Sequence, residues 1–410
     1  MPKTVKLIMV AVGDAASSGA SQNNKYYDMI DTEDGNFKVE YGRIGVTKAE
    51  GSFPMAKWES TYKSKVKKGY KDVSSLYVED DVTLVDFATI SDLMIKNLIY
   101  KLQAYAKKEV TTFYNITSDK VTQKQVDEAQ SVLNEIAALA GKLTDKDDIE
   151  KANKFLLNLY AVIPRRMGNV RDYLLSTTDD RKFSRLLSTE QNLLDTMAGQ
   201  VKQSQLTKEN TNADLTILDA LGLELLTITN VEKDLVKDKL QNISDKFINA
   251  FKVVNKKTQK KFDDYVGAAT NKTTELFWHG SRNENWMSIL ESGLVLRPTN
   301  AVISGKMFGY GTYFADKAQK SLGYTSSRGS YWARGNAEEA YMALYNVHLG
   351  NSLHIKRHES WCSQLDRDKL LARGDYDSLF AEGGADLRNN EYIVYHEDQS
   401  TVQYIVQLQG

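Results

Sequence analysis

Four short runs of this 410-residue chain gather the side-chain types that stack, hydrogen-bond and carry charge at a reacting centre. They are Phe-Trp-His-Gly-Ser-Arg at 277–282, Gly-Thr-Tyr-Phe-Ala-Asp at 311–316, Lys-Ser-Leu-Gly-Tyr at 320–324 and Asn-Glu-Tyr-Ile-Val-Tyr at 390–395. Between them they supply one imidazole, His279, two tyrosines, Tyr313 and Tyr324, the hydroxyls of Ser281 and Ser321, and an isolated carboxylate, Glu391. Such a set can grip a flat cationic ring and a ribose while a glycosidic bond breaks.

His279 follows the apolar Leu276-Phe277-Trp278, so the motif is expected at a strand end. Gly280 lets a ligand approach the backbone closely, where its N–H and C=O are both usable. A ring bearing an amide, such as nicotinamide, needs that donor and acceptor pair. By itself the tripeptide is also what a structural, hydrogen-bonding histidine looks like. Gly309-Tyr310-Gly311 resembles the start of a dinucleotide fingerprint, but the third glycine and the βαβ context are missing. The spacing instead predicts a strand over Gly311–Ala315, with Asp316 capping a short helix on which Ser321 and Tyr324 share a face beside Lys320. Glu391 opens a β-rich run, where a buried carboxylate needs a partner. Either a structural salt bridge or a role in stabilising an oxocarbenium-like sugar would supply the reason for it. His354, His358 and Cys362 are four apart and on a helix would form a metal-facing stripe, but Ser352–Lys356 alternates like a strand, so no metal is expected.

The elements that must position these residues follow from the rest of the chain. Its length suggests two or three domains. A hydrophobic fraction of 41% and a charged fraction of 26% fit an ordinary globular composition, and no apolar run has the length of a membrane span. The lone cysteine, Cys362, excludes an internal disulfide framework and suits a reducing interior. A net charge of −1 means that any nucleic-acid contact must come from a local patch. Met1–Val12 reads as a first strand rather than a cleavable leader.

Residues 1–80 read as β-rich, with strands at Val5–Val12 and Phe37–Tyr41, a turn at Asp34-Gly35 and a polar loop over 14–24. Lys57, Lys63, Lys65, Lys67, Lys68 and Lys71 interleave with Trp58, Tyr62 and Tyr70. That pattern can suit phosphates and sugars, but by charge alone it more readily reads as a solvated helix face with its aromatics in the core. Residues 85–205 have helical periodicity, with Ser91, Thr122 (capping box with Gln125), Thr144 and Ser188 as candidate starts and Pro164 as a stop. Residues 200–215 read as a polar linker. Beyond them come a helix and short strand within Asn230–Lys252, a lysine-rich connection, and strands from Phe277 to the alternating Val402–Leu408.

Three stretches carry a family resemblance. Taken together, the four motifs resemble the catalytic domain of the poly(ADP-ribose) polymerases over about 225–410. Tyr41-Gly42-Arg43-Ile44-Gly45 with Gly69-Tyr70-Lys71 resembles a WGR domain, with tyrosine standing where that family has tryptophan. The helical stretch, through Leu159–Pro164 and Asn192-Leu193-Leu194-Asp195, resembles the regulatory domain of the DNA-dependent members. The implied fold class is α+β multidomain: a β-rich WGR-like unit (1–80), an all-α helical bundle (85–205) and an α+β ADP-ribosyltransferase fold with mixed sheets (220–410).

The resemblance implies a triad of His279, Tyr313 and Glu391. It places His279, Ser281 and Asn285 on the adenosine ribose, and Gly280 and Ser321 on the nicotinamide amide. Tyr313 and Tyr324 would flank the ring, Lys320 would stand in the NAD+ site, and Glu391 would orient the nicotinamide ribose and activate the acceptor hydroxyl. Tyr41, Arg43, Lys67 and Lys68 would meet DNA, and Asp195 would have a regulatory place. The implied activity is transfer of ADP-ribose from NAD+, as substrate and without metal, to proteins including itself and to growing polymer, stimulated by DNA nicks or ends. A mono-ADP-ribosyltransferase or a silent DNA-end binder are the alternatives. The expected setting is intracellular, nuclear in a eukaryote and cytoplasmic in a bacterium or virus, with no membrane partner.

Overall fold

The alternating run near the N-terminus pairs as β1 (Thr4–Val12) in an antiparallel sheet with β2 (Gln22–Asp31), β3 (Asn36–Arg43), β4 (Ala49–Pro54) and β5 (Lys71–Asp72). The sheet order is β4-β3-β2-β1-β5. The computed structural model describes residues 3–13, 22–45, 48–76, 86–210, 212–297, 299, 302, 307–327, 329–330, 333–334 and 337–410. Most of the polar loop expected over 14–24 lies outside them. The chain divides into two units, 1–82 with 108–202 and 83–107 with 203–410.

In the first unit the β2–β3 turn carries Gly35 at φ +86°, and Asp34 accepts from the Asn36 N–H at 3.0 Å, so Asp34-Gly35 turns the chain as expected. The lysine-rich run folds as α1 (Trp58–Lys67). Its aromatics turn inward: Trp58 meets Phe37 edge-on at 5.1 Å, and Tyr62 and Tyr70 pack against the same cluster of Val5, Leu7, Met29 and Val39. The helices are α2 (Leu93–Phe113), α3 (Gln123–Ala137), α4 (Lys146–Val162) and α5 (Asp180–Glu209), of which α2 and α5 contribute residues to both units.

Thr122 and Gln125 form the expected capping box on α3. The other caps differ. Asp92, not Ser91, accepts the Met94 and Ile95 N–H groups at 2.8 and 3.1 Å, and Asp145, not Thr144, caps α4. Aspartate and the neighbouring hydroxyl residue are both good caps, so the backbone position of the first helical residue decides between them. Ser188 lies inside α5 rather than at its start. The supposed linker at 200–215 is helical as far as Glu209, since Val201 keeps the apolar stripe running into the core.

The second unit continues with α6 (Ile217–Leu221), β6 (Leu223–Thr227), α7 (Asn230–Leu240), β7 (Phe247–Asn255), α8 (Lys256–Ala268), β8 (Thr274–Gly280), α9 (Trp286–Ser292), β9 (Thr312–Phe314) and α10 (Ala318–Leu322). After them come the short hairpin β10 (Gly329–Ser330) and β11 (Ala333–Arg334), then β12 (Glu339–His348), β13 (Ser352–Ile355), α11 (Arg367–Leu371), β14 (Ser378–Ala381), β15 (Glu391–Val394) and β16 (Ser400–Gln409). The lysine-rich connection is thus a helix, α8, capped by Asn255. One sheet, β6-β7-β16-β12-β8, is antiparallel throughout. The other, β13-β14-β15-β9, is mixed, with β13 and β14 parallel. No helix among the described residues is long and apolar enough to cross a membrane.

The two sheets meet along a narrow seam. Trp278 and Ala315 form an isolated bridge, Trp278 N–H donating to Ala315 O at 2.8 Å and Ala315 N–H to Trp278 O at 3.0 Å. Phe277, Phe314, Tyr341, Tyr345 and Val394 fill the interior beside it, and Trp278 sits in a second cluster with Ala318 and Leu322 of α10.

Candidate active site

Strand register brings the four motifs together at that seam. β8 pairs His279 with Ala343 of β12, so His279 and Gly280 end the edge strand of the antiparallel sheet. β9 and β15 pair Phe314 with Tyr392, and one further step puts Glu391 level with Ala315, the residue bridged to Trp278. The alternation of a strand turns the Gly280 N–H and C=O to the same outer edge as those of Trp278. α10 closes over this end: a Cβ on Gly280 would come within 2.0 Å of the Ser321 carbonyl oxygen, so only glycine fits.

The His279 ring is wedged edge-on between Phe314 at 5.8 Å and Tyr345 at 6.0 Å. Its Nδ1 lies 3.1 Å from the Tyr313 carbonyl, which fixes the proton on Nδ1 and leaves Nε2 as the acceptor nitrogen. Burial pushes the His279 pKa down to about 4, against a smaller upward pull from that carbonyl, so the ring is neutral at physiological pH. Ser321 is buried and its hydroxyl donates to Trp278 O at 3.2 Å. Asn285 Nδ2 donates to Ser281 Oγ at 3.2 Å from the 3₁₀ turn before α9.

Tyr313 is anchored by its phenol, which donates to Gly309 O at 3.1 Å and accepts from the Phe308 N–H at 3.2 Å. Tyr324 is nearly half exposed (48%), an open aromatic plate. It lies in the turn after α10 rather than on the helix, since the helix stops at Leu322. Burial raises the Tyr324 pKa, helped by the nearby Glu391 charge.

Glu391 pairs with Lys320 on α10, and the same ammonium donates to Asn390 O at 3.2 Å. Burial lowers the Lys320 pKa while Glu391 and, more weakly, Asp316 oppose the change. The salt bridge expected as one account of Glu391 is therefore present, with Lys320 as its partner. Asp316 does not cap α10, whose N-cap Lys317 makes no side-chain capping bond. Its Oδ2 instead accepts from Asn390 Nδ2 at 2.7 Å.

His354 lies on β13 and meets Glu382 at 2.9 Å, Cys362 is buried, and no group of metal ligands occurs among the described residues. The residues assigned by resemblance to DNA and regulation lie in the first unit. Tyr41 is exposed and stacked on Tyr27 at 5.5 Å, while Lys67 and Lys68 are exposed at the end of α1. Arg43 donates to Gly168 O at 2.5 Å. Asp195 on α5 accepts from Gln191 Nε2 at 2.8 Å.

Comparison with known proteins bears on the family of the chain. The family described as the poly(ADP-ribose) polymerase catalytic domain matches residues 227–382. The poly(ADP-ribose) polymerase-like protein 100L of Invertebrate iridescent virus 6 is 34% identical over 183 residues, covering 43% of this chain and 93% of that protein. Poly(ADP-ribose) polymerase 2-B of Oryza sativa subsp. japonica is 25% identical over 94% of this chain and 69% of its own. Poly(ADP-ribose) polymerase 1 of Gallus gallus is 27% identical over 70% of this chain and 30% of its own. Fold and matches define an ADP-ribosyltransferase that uses NAD+ as its substrate. Within that class the chain belongs to the poly(ADP-ribose) polymerase family.

Proposed function

We propose that the cleft at the seam binds NAD+, that Glu391 is its catalytic carboxylate, and that ADP-ribose passes to protein side chains and then to the growing polymer. The observation that carries this reading is the convergence of Gly280, Ser321, Tyr324 and Glu391 at one sheet edge, with Gly280 admitting no side chain. The outward N–H and C=O of Gly280 match a carboxamide, and the Ser321 hydroxyl has lone pairs for its N–H. Tyr313 and Tyr324 flank the ring. His279, Ser281 and Asn285 hold the adenosine ribose, His279 as a neutral acceptor through Nε2.

One Glu391 oxygen is held by Lys320, and the other accepts a ribose hydroxyl and stabilises positive charge as the sugar–nicotinamide bond breaks. The electron pair leaves with nicotinamide. The acceptor oxygen attacks the anomeric carbon, and its proton passes to Glu391.

In this reading residues 1–80 sense DNA ends through Tyr41, Lys67 and Lys68. The exposure of these side chains supports the assignment, whereas the carbonyl bond of Arg43 limits that residue's share. The helices of 85–205 regulate the transferase, and Asp195 belongs to α5, which contributes residues to both units. The setting is intracellular, where NAD+ is available.

The test is incorporation of labelled NAD+ by the purified protein, with and without 5′-phosphorylated nicked DNA, beside Glu391→Gln. Long, DNA-stimulated products that the variant loses are expected. Short products would leave a mono-ADP-ribosyltransferase, indifference to DNA would remove the sensing role, and full activity in Glu391→Gln would overturn the site.

A further inference from the structure

The segment that delivers Glu391 is tethered at the residue before it. Asn390 spends both ends of its side-chain amide: Nδ2 donates to Asp316 Oδ2 at 2.7 Å, and Oδ1 accepts from the Gly383 N–H at 2.9 Å. Its main-chain carbonyl is one of two acceptors for Lys320, at 3.2 Å, and the other is Glu391. The turn is tight here as well, since a Cβ on Gly383 would fall 2.8 Å from the Asn389 carbonyl carbon. Asp316 therefore reaches across 74 residues of sequence from the seam residue Ala315 to the start of β15.

Local structure does not account for a carboxylate at this position. Asp316 makes no cap for α10, and its buried Oδ1 has no hydrogen-bond partner among the described residues. A half-buried carboxylate with one buried oxygen unsatisfied is costly, and such groups are kept where they serve a site.

We propose that Asp316 is a positioning residue for the transfer reaction: by gripping Asn390 it fixes both the backbone that aims Glu391 and the carbonyl that holds Lys320 against it. Asp316 and Asn390 touch neither the reacting sugar nor the ring in this scheme. They act through Glu391, so the inference rests on the reading of the cleft given above. It predicts an effect on turnover rather than on NAD+ capture.

The test is a charge-complementation cycle in the full-length protein. Asn390→Asp sets two carboxylates against each other and should cut kcat by about tenfold or more while KM for NAD+ stays within about threefold. Adding Asp316→Asn restores a donor opposite a carboxylate, and the double variant should recover to within about threefold of the parent kcat. Unimpaired turnover in Asn390→Asp, or a double variant no better than it, would overturn the proposal. If Asn390→Asp does not fold, Asp316→Ala and Asn390→Ala replace it. Equal losses in both singles and in their double support the tether, and additive losses refute it. Glu391→Gln is run beside them. Wild-type turnover in that variant would remove the cleft assignment itself, whereas its inactivity beside a silent Asn390 leaves the cleft and removes only the tether.

Discussion

Replacing Gly280 by alanine adds a single carbon where β8 meets α10. That carbon would lie 2.0 Å from the Ser321 carbonyl oxygen and 2.8 Å from its carbonyl carbon. Ordinary van der Waals contact begins at 3.4 Å, so β8 and α10 must part by about 1.4 Å, and neither obstacle is a side chain that can swing away. Overpacking of this kind costs roughly 1–3 kcal/mol. For a unit of roughly 230 residues that corresponds to a Tm lower by about 2–12 °C.

The larger consequence is functional, because α10 carries Lys320 and Ser321, and a displacement of about 1 Å at a reacting centre costs on the order of 100-fold in rate. The assay is kcat/KM for NAD+ at a temperature where both proteins are folded, with Gly267→Ala on α8 as control. A Cβ at Gly267 meets nothing within 4 Å, so that variant should keep its activity and gain roughly 0.4–1 kcal/mol of stability. Activity of Gly280→Ala within threefold of the parent, with Tm unchanged, would refute the claim that the two backbones are in contact there.

Three further outcomes are expected. His279 is held at a pKa of about 4 when folded and returns to about 6.5 when unfolded, so the unfolded chain binds the extra proton between those values. Its contribution is intact above pH 6.5 and falls by up to about 1.4 kcal/mol per unit as pH drops toward 4; urea unfolding against pH should show a shallower slope in His279→Gln, and parallel slopes would contradict the buried neutral ring. In the first unit, Arg165 pairs with Glu190 at 2.5 Å and lies over the rings of Tyr114 and Tyr160 at 5.1 and 5.6 Å. Arg165→Ala strands a buried carboxylate and should cost about 3–5 kcal/mol, while Arg165→Met with Glu190→Leu costs less; equal losses by denaturant titration would count against the pair. Thr122→Ala removes the α3 capping box and should cost about 1 kcal/mol by the same titration.

What the sequence disclosed was whatever depends on local chemistry. His279, Gly280, Ser321 and Tyr324 stood out as candidates because each motif combines strand or helix patterning with a residue out of keeping with a simple core. The β2–β3 turn and the α3 capping box were legible for the same reason, since their partners lie within a few residues. Caps misread by one position, Ser91 for Asp92 and Thr144 for Asp145, reflect competition between adjacent polar residues that only backbone geometry decides. Partners set by register were not legible. Lys320 and Glu391 are separated by 71 residues and Asp316 and Asn390 by 74, and no periodicity in either stretch points to the other. Asp316 was misread because Asp before a helix is so often a cap. Here the carboxylate is drawn across the seam instead.

The seam also supplies the sheet edges on which the proposed site is built. Edge strands leave N–H and C=O groups unpaired, a liability that proteins usually cover or disrupt. β8 and β9 are the edges of their sheets, and they are joined through the Trp278–Ala315 bridge. Beyond that bridge the strands diverge, so the outward amide groups of Gly280 meet neither sheet. In the proposed function, an amide-bearing ligand entering there would extend a sheet edge by one peptide-like unit, with β-type pairing to orient it. The α10 backbone lies against Gly280, and Glu391 is held by Lys320. Recognition of this kind depends on how far the two sheets splay. Substitutions that tighten the Trp278–Ala315 bridge should therefore weaken NAD+ binding in the proposed site as effectively as loss of a hydrogen-bonding side chain.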